Sequence, residues 1–242
     1  TIMRFNSNSI TVLGTAGDRK LGGFDFDNRI IEVVMEAASK EGIDISKDIT
    51  ARQDLQLKAE TAKKSLSSKD KTNIMLNISG RPFKYTITRD EFVDLVEPLL
   101  YRTVSCMENA CDEVGVEYED LDKILLVGGS TRMPIICDFI REETGITPSS
   151  EVHPDEAVAI GAAYHVLDVL KIQQTKARKS ADTSNRVLEA DIPEISKQYS
   201  FKDVTSHGIG VVMQDQFGEL VNSVILPKNV QVPAEKKNYY TT

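Results

Sequence analysis

Four short segments of the 242-residue chain carry side chains that could hold a ligand. In ETAKKSLSS, Glu60, Lys63, Lys64 and Ser67 stand at relative positions 0, 3, 4 and 7. A helix would display them on one face, opposite Leu55, Ala59, Ala62 and Leu66. The carboxylate on that face can accept hydrogen bonds and its ammonium groups can donate them, so the face could hold a polar ligand. Charged helix faces are more often simply solvated, and a Glu60–Lys64 i,i+4 pair fits that reading as well. The second segment, VGGSTRMP, places Gly128 and Gly129 between an apolar run and a helix start, with Ser130 and Arg132 following. Glycines let the backbone turn tightly and approach a ligand, and the amides of a helix start suit an anion or a polar ring edge. The segment also reads as an ordinary tight connection, and it lacks the Gly-Lys-Ser/Thr of a Walker A loop. The third is LGGFDFDN, with Gly23 at another helix start, and the fourth is HPDEAVAIGAA, where Asp155 suits capping and the helix dipole. His153 and His207 have no carboxylate or cysteine at ligand spacing, and no Ser-His-Asp pattern stands out, so no metal ligand and no catalytic residue is assigned.

The elements that must position these residues follow from periodicity. SITVLGTA over 9–16 reads as a strand. A helix is expected from about Phe26 to Lys40, ended by Gly42. A second helix starts at Thr50, with TARQ as a capping box, and runs to about Ser67. Alternation at Ile74, Leu76, Ile78 and at Phe83, Tyr85, Ile87 gives two strands with the turn at 80–82. A third helix opens with Thr88 and Glu91 as a capping box, bends at Pro98, continues to Val114 and stops at Gly115. Lys123 to Val127 is a continuous apolar run that predicts a strand buried on both faces. Helices from Pro134 to near Gly145 and from Pro154 to about Lys171 complete an α/β unit. Residues 172–202 are polar and read as a solvated linker, and 203–242 read as β-structure in the segments GIGVVM, ELVNSVIL and KKNYYTT. Those forty residues are too few to close a stable sandwich alone.

Composition narrows the function classes. A net charge of −8 and a pI near 5.1 argue against non-specific nucleic-acid binding. No apolar run approaches the roughly 18 residues of a membrane span, and the first residues show no signal-peptide pattern. The chain has no Trp, so its core must be aliphatic. Three cysteines, Cys106, Cys111 and Cys137, follow no ligand spacing and suit free buried thiols in a reducing, cytoplasmic setting.

Taken together, TAGDRKLGGFDFDNR, ETAKKSLSS, ITRDEFVDLVEPLL, ILLVGGSTRMP and HPDEAVAIGAA stand in the order and spacing of the seventy-kilodalton heat-shock (DnaK-type) chaperones. Over about residues 10–170 the chain resembles the second lobe of that family's actin-like, ribonuclease H-like ATPase domain. Residues 203–242 resemble the start of its peptide-binding β-domain. The resemblance implies lobe II at 1–171, a linker at 172–202 and a partial β-domain at 203–242. It also implies a site for ATP or ADP. Glu60 and Lys63 would meet the ribose hydroxyls, and Ser67 the adenine edge. Lys64 and Arg132 would sandwich the adenine ring. Gly128, Gly129 and Ser130 would form the adenosine loop, with Gly23 across from it and Asp155 beside the pocket. Unfolded polypeptides, nucleotide-exchange factors and J-domain cochaperones are the partners so implied.

Three departures stand against the pattern. Lys64 occupies a position where Arg is usual and stacks less well. Phe24 replaces an acidic residue. KQYSFKDVT replaces a short leucine-rich linker. The family's phosphate loops, its magnesium site and its catalytic Lys and Glu belong upstream of Thr1. The chain is therefore expected to grip base and sugar without hydrolysing ATP unaided. A non-enzymatic interaction module and a fragment of another actin-like ATPase are the alternative readings.

Overall fold

The computed structural model describes residues 1–7, 9–149, 151, 153–167 and 200–238. They fall into two compact units. One comprises Gly17–Cys106 with Tyr118–Asp155, the other Thr1–Ala16, Met107–Glu117 and Glu156–Thr242.

The unit built on Gly17–Cys106 contains helices α1 (Gly23–Lys40) and α2 (Ile49–Leu66), the strands β3 (Lys71–Ile78) and β4 (Arg81–Thr88), the first two-thirds of helix α3 (Arg89–Val114), and helix α4 (Pro134–Thr144). α1 buries Phe26, Ile30, Val34 and Ala38, and α2 buries Leu55, Ala59, Ala62 and Leu66. Both sets recur every three to four residues, which is why each segment folds as a helix with one apolar stripe. α1 packs on α2, and α2 on β3. The strands alternate as expected: Ile74, Leu76, Ile78, Phe83 and Ile87 are buried. β3 and β4 pair antiparallel from Lys71↔Thr88 to Ile78↔Arg81. Their two-residue turn is Ser79–Gly80, both at positive φ (49° and 84°), so it falls just before the predicted position and Pro82 lies inside β4.

Two helix starts differ in instructive ways. α3 begins as predicted, with the Glu91 amide donating to Thr88 Oγ1 at 3.1 Å. α2 does not use Thr50 as its cap. The Asp48 carboxylate accepts from the Ala51 amide at 2.9 Å and, through its other oxygen, from the Ser79 amide at 2.9 Å. An ionised carboxylate is the stronger acceptor, and here it ties the helix start to the hairpin turn.

The predicted strand over Lys123–Val127 does not form. Its backbone makes a single parallel bridge, Leu125↔Ser149, through bonds between Leu126 and Ser149 and between Ser149 and Ile124. Leu125 and Val127 remain 40% and 43% exposed. A continuous apolar run becomes a doubly buried strand only where extended neighbours flank it, and the described residues of this unit supply one short bridge. α4 ends at Gly145 (φ 72°), as expected.

The other unit holds β1 (Ile2–Asn6), β2 (Ser9–Gly14), the end of α3, helix α5 (157–167), β5 (Ser200–Val204), β6 (Ile209–Gln214), β7 (Leu220–Leu226) and β8 (Gln231–Val232). One sheet has the order β1-β2-β5-β8, with β5 parallel to β2 and antiparallel to β8, and β6 pairs β7 as a separate antiparallel hairpin. β1 had no counterpart in the sequence reading. Glu113 binds Lys228 and Asn229 from this unit's far end of the sequence, at 2.5 and 3.0 Å. Of the linker expected at 172–202, residues 172–199 lie outside the described residues and 200–202 belong to β5. The expected extension of α5 over 168–171 also lies outside them. In KKNYYTT, residues 236–238 are irregular and the rest lies outside. All three cysteines are free. Burial pushes the Cys111 thiol above its usual range. No helix among the described residues is long and apolar enough to cross a membrane.

Candidate adenosine-binding site

All ten residues singled out in the sequence fall in the unit that contains α1, α2 and α4. Their arrangement begins at the turn before α1. The Gly22 amide donates to the Asp25 carboxylate at 2.8 Å, which fixes the first turn of the helix. The Lys63 ammonium, from the last turns of α2, donates to that carbonyl at 2.9 Å and forms an ion pair of 2.9 Å with Asp27 Oδ1. Lys63 is only 9% exposed and Asp27 8%. Lys63 is therefore no free surface cation but a bridge between two helices.

Asp27 is the residue that sequence reasoning missed. Its carboxyl is pushed above the usual range, chiefly by desolvation on burial, with Lys63 pulling in the opposite direction. Oδ1 has the ion-pair contact but no aligned hydrogen bond. The signal that could have found it was present. Asp27 sits between the apolar positions Phe26 and Ile30, one turn from Gly23, where a solvated acid is not expected.

Gly23 itself explains why a side chain is absent there. A Cβ at this position would stand 3.2 Å from Ser130 Oγ and 3.3 Å from Lys63 Nζ. The hydroxyl of the glycine loop and the ammonium of α2 thus converge on one small space that a methyl group would fill.

The glycine loop is built by local rules. Gly128 adopts φ 101°, ψ 153°, a region essentially closed to other residues, and its amide donates to the Pro154 carbonyl at 2.9 Å. Gly129–Arg132 then makes a short 3-10 turn, with Thr131 Oγ1 donating to the Gly128 carbonyl at 2.7 Å, before α4 starts at Pro134. The helix start at Pro134 is the one expected from the sequence, and the short turn between it and the glycines was not foreseen. Arg132 forms an ion pair with Asp155, and an added Cβ on Gly129 would be in ordinary contact, 3.7 Å, with Asp155 Oδ1. That pair holds the Asp155 carboxyl below its usual range and raises the guanidinium.

On α2, Lys64 pairs with Glu60 at 2.7 Å, and the bond keeps the Glu60 carboxyl low and the Lys64 ammonium high. Ser67 caps the end of α2. The preceding carbonyl, Leu66, accepts from Arg89 Nε at 2.9 Å, which anchors the helix end to α3. The geometry therefore brings together Gly23, Lys63 and Ser130, pairs Glu60 with Lys64, and joins Gly129, Arg132 and Asp155. Lys64 and Arg132 stay exposed, with their charges lent to carboxylates and available to a ligand. A groove of about 410 Å³ between α1 and α2, lined by Phe24, Ile31, Met35, Ile49 and Arg52 among others, contains none of the ten. Asn28, Gln53 and Gln56 line it as well, so it is a mixed polar and apolar groove separate from the ten residues.

The chain matches the family model described as Hsp70 protein over residues 1–190. It is 32% identical over 249 residues to Heat shock 70 kDa protein 7, chloroplastic, of Arabidopsis thaliana, covering 100% of this chain and 31% of that protein. It is 34% identical over 250 residues to Chaperone protein DnaK of Thermotoga petrophila, covering 100% of this chain and 38% of that one. The chain spans roughly a third of the length of these relatives.

Proposed function

The chain belongs to the Hsp70 family, and on that premise we propose that its Gly17–Cys106 and Tyr118–Asp155 unit is the adenosine-gripping part of an ATP-dependent chaperone. The actin-like lobe would occupy 1–171, followed by the linker at 172–202 and the start of a peptide-binding β-domain at 203–242. In this reading Glu60 and Lys63 take the ribose hydroxyls and Ser67 takes the adenine edge. Lys64 and Arg132 lie against the two faces of the ring. Gly128, Gly129 and Ser130 approach from the loop opposite Gly23, and Asp155 steers Arg132. The observation that supports the proposal is the space above Gly23, which Lys63 Nζ and Ser130 Oγ border so closely that a Cβ there would stand 3.3 and 3.2 Å from them. A cation and a hydroxyl facing one small cavity suit a sugar hydroxyl, which donates and accepts at once.

These residues fit the sugar and base of ATP or ADP, and no phosphate or magnesium contact is assigned to any of them. The nucleotide would supply the phosphoryl group for hydrolysis in the complete chaperone. What this chain's own residues do is bind and orient the adenosine moiety. Unfolded polypeptides, exchange factors and J-domain cochaperones are the proposed partners, and a reducing cytoplasm is the proposed setting.

Calorimetry on the 242-residue chain tests the reading. Adenosine and ADP are expected to bind with similar, weak affinities. A strong dependence on the phosphates, or no binding of adenosine, would overturn the assignment.

A further inference from the structure

The buried carboxylate of Asp27 pairs with Lys63 but has no role among the adenosine contacts proposed above. Two readings compete for it. In one, the Asp27–Lys63 pair is a staple between α1 and α2. A staple gains little from being charged, because desolvation offsets most of the attraction and an apolar pair of equal volume holds two helices at least as well.

In the other reading the pair exists to present the ammonium. A lysine ammonium carries three N–H donors. One goes to the Gly23 carbonyl at 2.9 Å and a second faces Asp27 Oδ1 at 2.9 Å. The third remains, and Nζ borders the space above Gly23 that Ser130 Oγ also borders. A free lysine side chain would spread that donor over many rotamers. Held between a backbone carbonyl and a carboxylate, it is fixed before any ligand arrives, so binding loses less conformational entropy.

We infer that Asp27 is a positioning residue for nucleoside binding, which holds Lys63 so that one N–H stays aimed at a ribose hydroxyl. The inference rests on the adenosine reading above. It adds a residue that touches no ligand and acts through Lys63.

Its signature is selective for the sugar. Calorimetry on the full chain with adenosine and with adenine separates the ribose contribution from that of the base. For Asp27→Asn, adenosine affinity is expected to fall about tenfold or more, the usual worth of a hydrogen bond to a charged group. Adenine affinity is expected to stay within about twofold, since the base-binding residues are untouched. A fall shared equally by both ligands, or no fall in either, overturns the inference. Asp27→Glu keeps the charge and displaces it by one methylene, so it serves if the Asn variant does not fold. It too should lose adenosine affinity and keep adenine affinity, and full retention of both overturns the positioning role. Failure of the unaltered chain to bind adenosine at all is a different result, which defeats the underlying reading.

Discussion

Replacing Lys63 by Met isolates the energetics of the site's buried charge. The substitution keeps the length and apolar stem of the side chain and removes only the ammonium. It leaves Asp27, 8% exposed, with no cation, and takes the donor from the Gly23 carbonyl. Removing one partner of a buried pair typically costs about 3–5 kcal/mol. Asp27 can escape part of that cost by taking up a proton, because burial already raises its carboxyl above the ordinary value. The low end, about 3 kcal/mol near pH 7.5, is therefore expected. For a chain of this size that corresponds to a fall of roughly 6–12 °C in the unfolding temperature.

The pH dependence gives the sharper test. The folded state binds the Asp27 proton more tightly than the unfolded chain, whose carboxyl titrates near 3.8. Ionised Asp27 thus costs stability at neutral pH, and the cost is relieved as pH falls through the raised folded value. Among its charged neighbours on α2, Glu60 pushes that value up while Lys63 and Lys64 pull it down, so losing Lys63 raises it further. The gap between Lys63→Met and the unaltered chain should shrink as pH falls from neutral through that raised value. The double variant Asp27→Asn with Lys63→Met should recover most of the loss and show no such narrowing. Thermal melts followed by circular dichroism, supported by urea titrations, measure both. A loss under about 1 kcal/mol at pH 7.5, or a double variant no more stable than the single one, would refute the burial argument.

Two further outcomes are expected. Gly128→Ala forces a Cβ into φ 101°, ψ 153°, a conformation costing about 1–3 kcal/mol for a non-glycine residue. Melting temperature and adenosine affinity should fall together. Gly129→Ala, whose Cβ would be in ordinary contact with Asp155, should leave the melting temperature nearly unchanged. Asp48→Ala removes the acceptor of the Ala51 and Ser79 amides and should lower the melting temperature at pH 7. Those amide bonds hold the Asp48 carboxyl below its usual value. Its stabilisation is therefore full above the unfolded carboxyl range and lost as pH falls through the lowered folded value, where melts of the two proteins should converge.

What the sequence revealed and what it hid divide along a physical line. α1, α2, β3, β4, α3 and α4 were legible because each writes its buried face in its own periodicity, and Gly115 and Gly145 stop their helices by local backbone preference. Positions decided by partners far along the chain were not legible. Lys123–Val127 has the composition of a central strand, yet composition cannot say which neighbours will flank it. Thr50 had the better local capping signature, and Asp48 displaced it because the Ser79 amide, thirty-one residues away, needed the same carboxylate.

The site divides in the same way. The spacing of Glu60, Lys63, Lys64 and Ser67 was expected to put all four opposite the apolar stripe, but Lys63 is buried along with Ala59, Ala62 and Leu66, because spacing treats Lys63 and Lys64 as equals. The fold separates them. Lys64 stays in solvent, paired to Glu60, while Lys63 turns into the interface because Gly23 and Asp27 offer it a carbonyl and a carboxylate there. A helical pattern supplies candidates. Burial and a second helix decide which of them is held between partners and which stays an exposed surface charge.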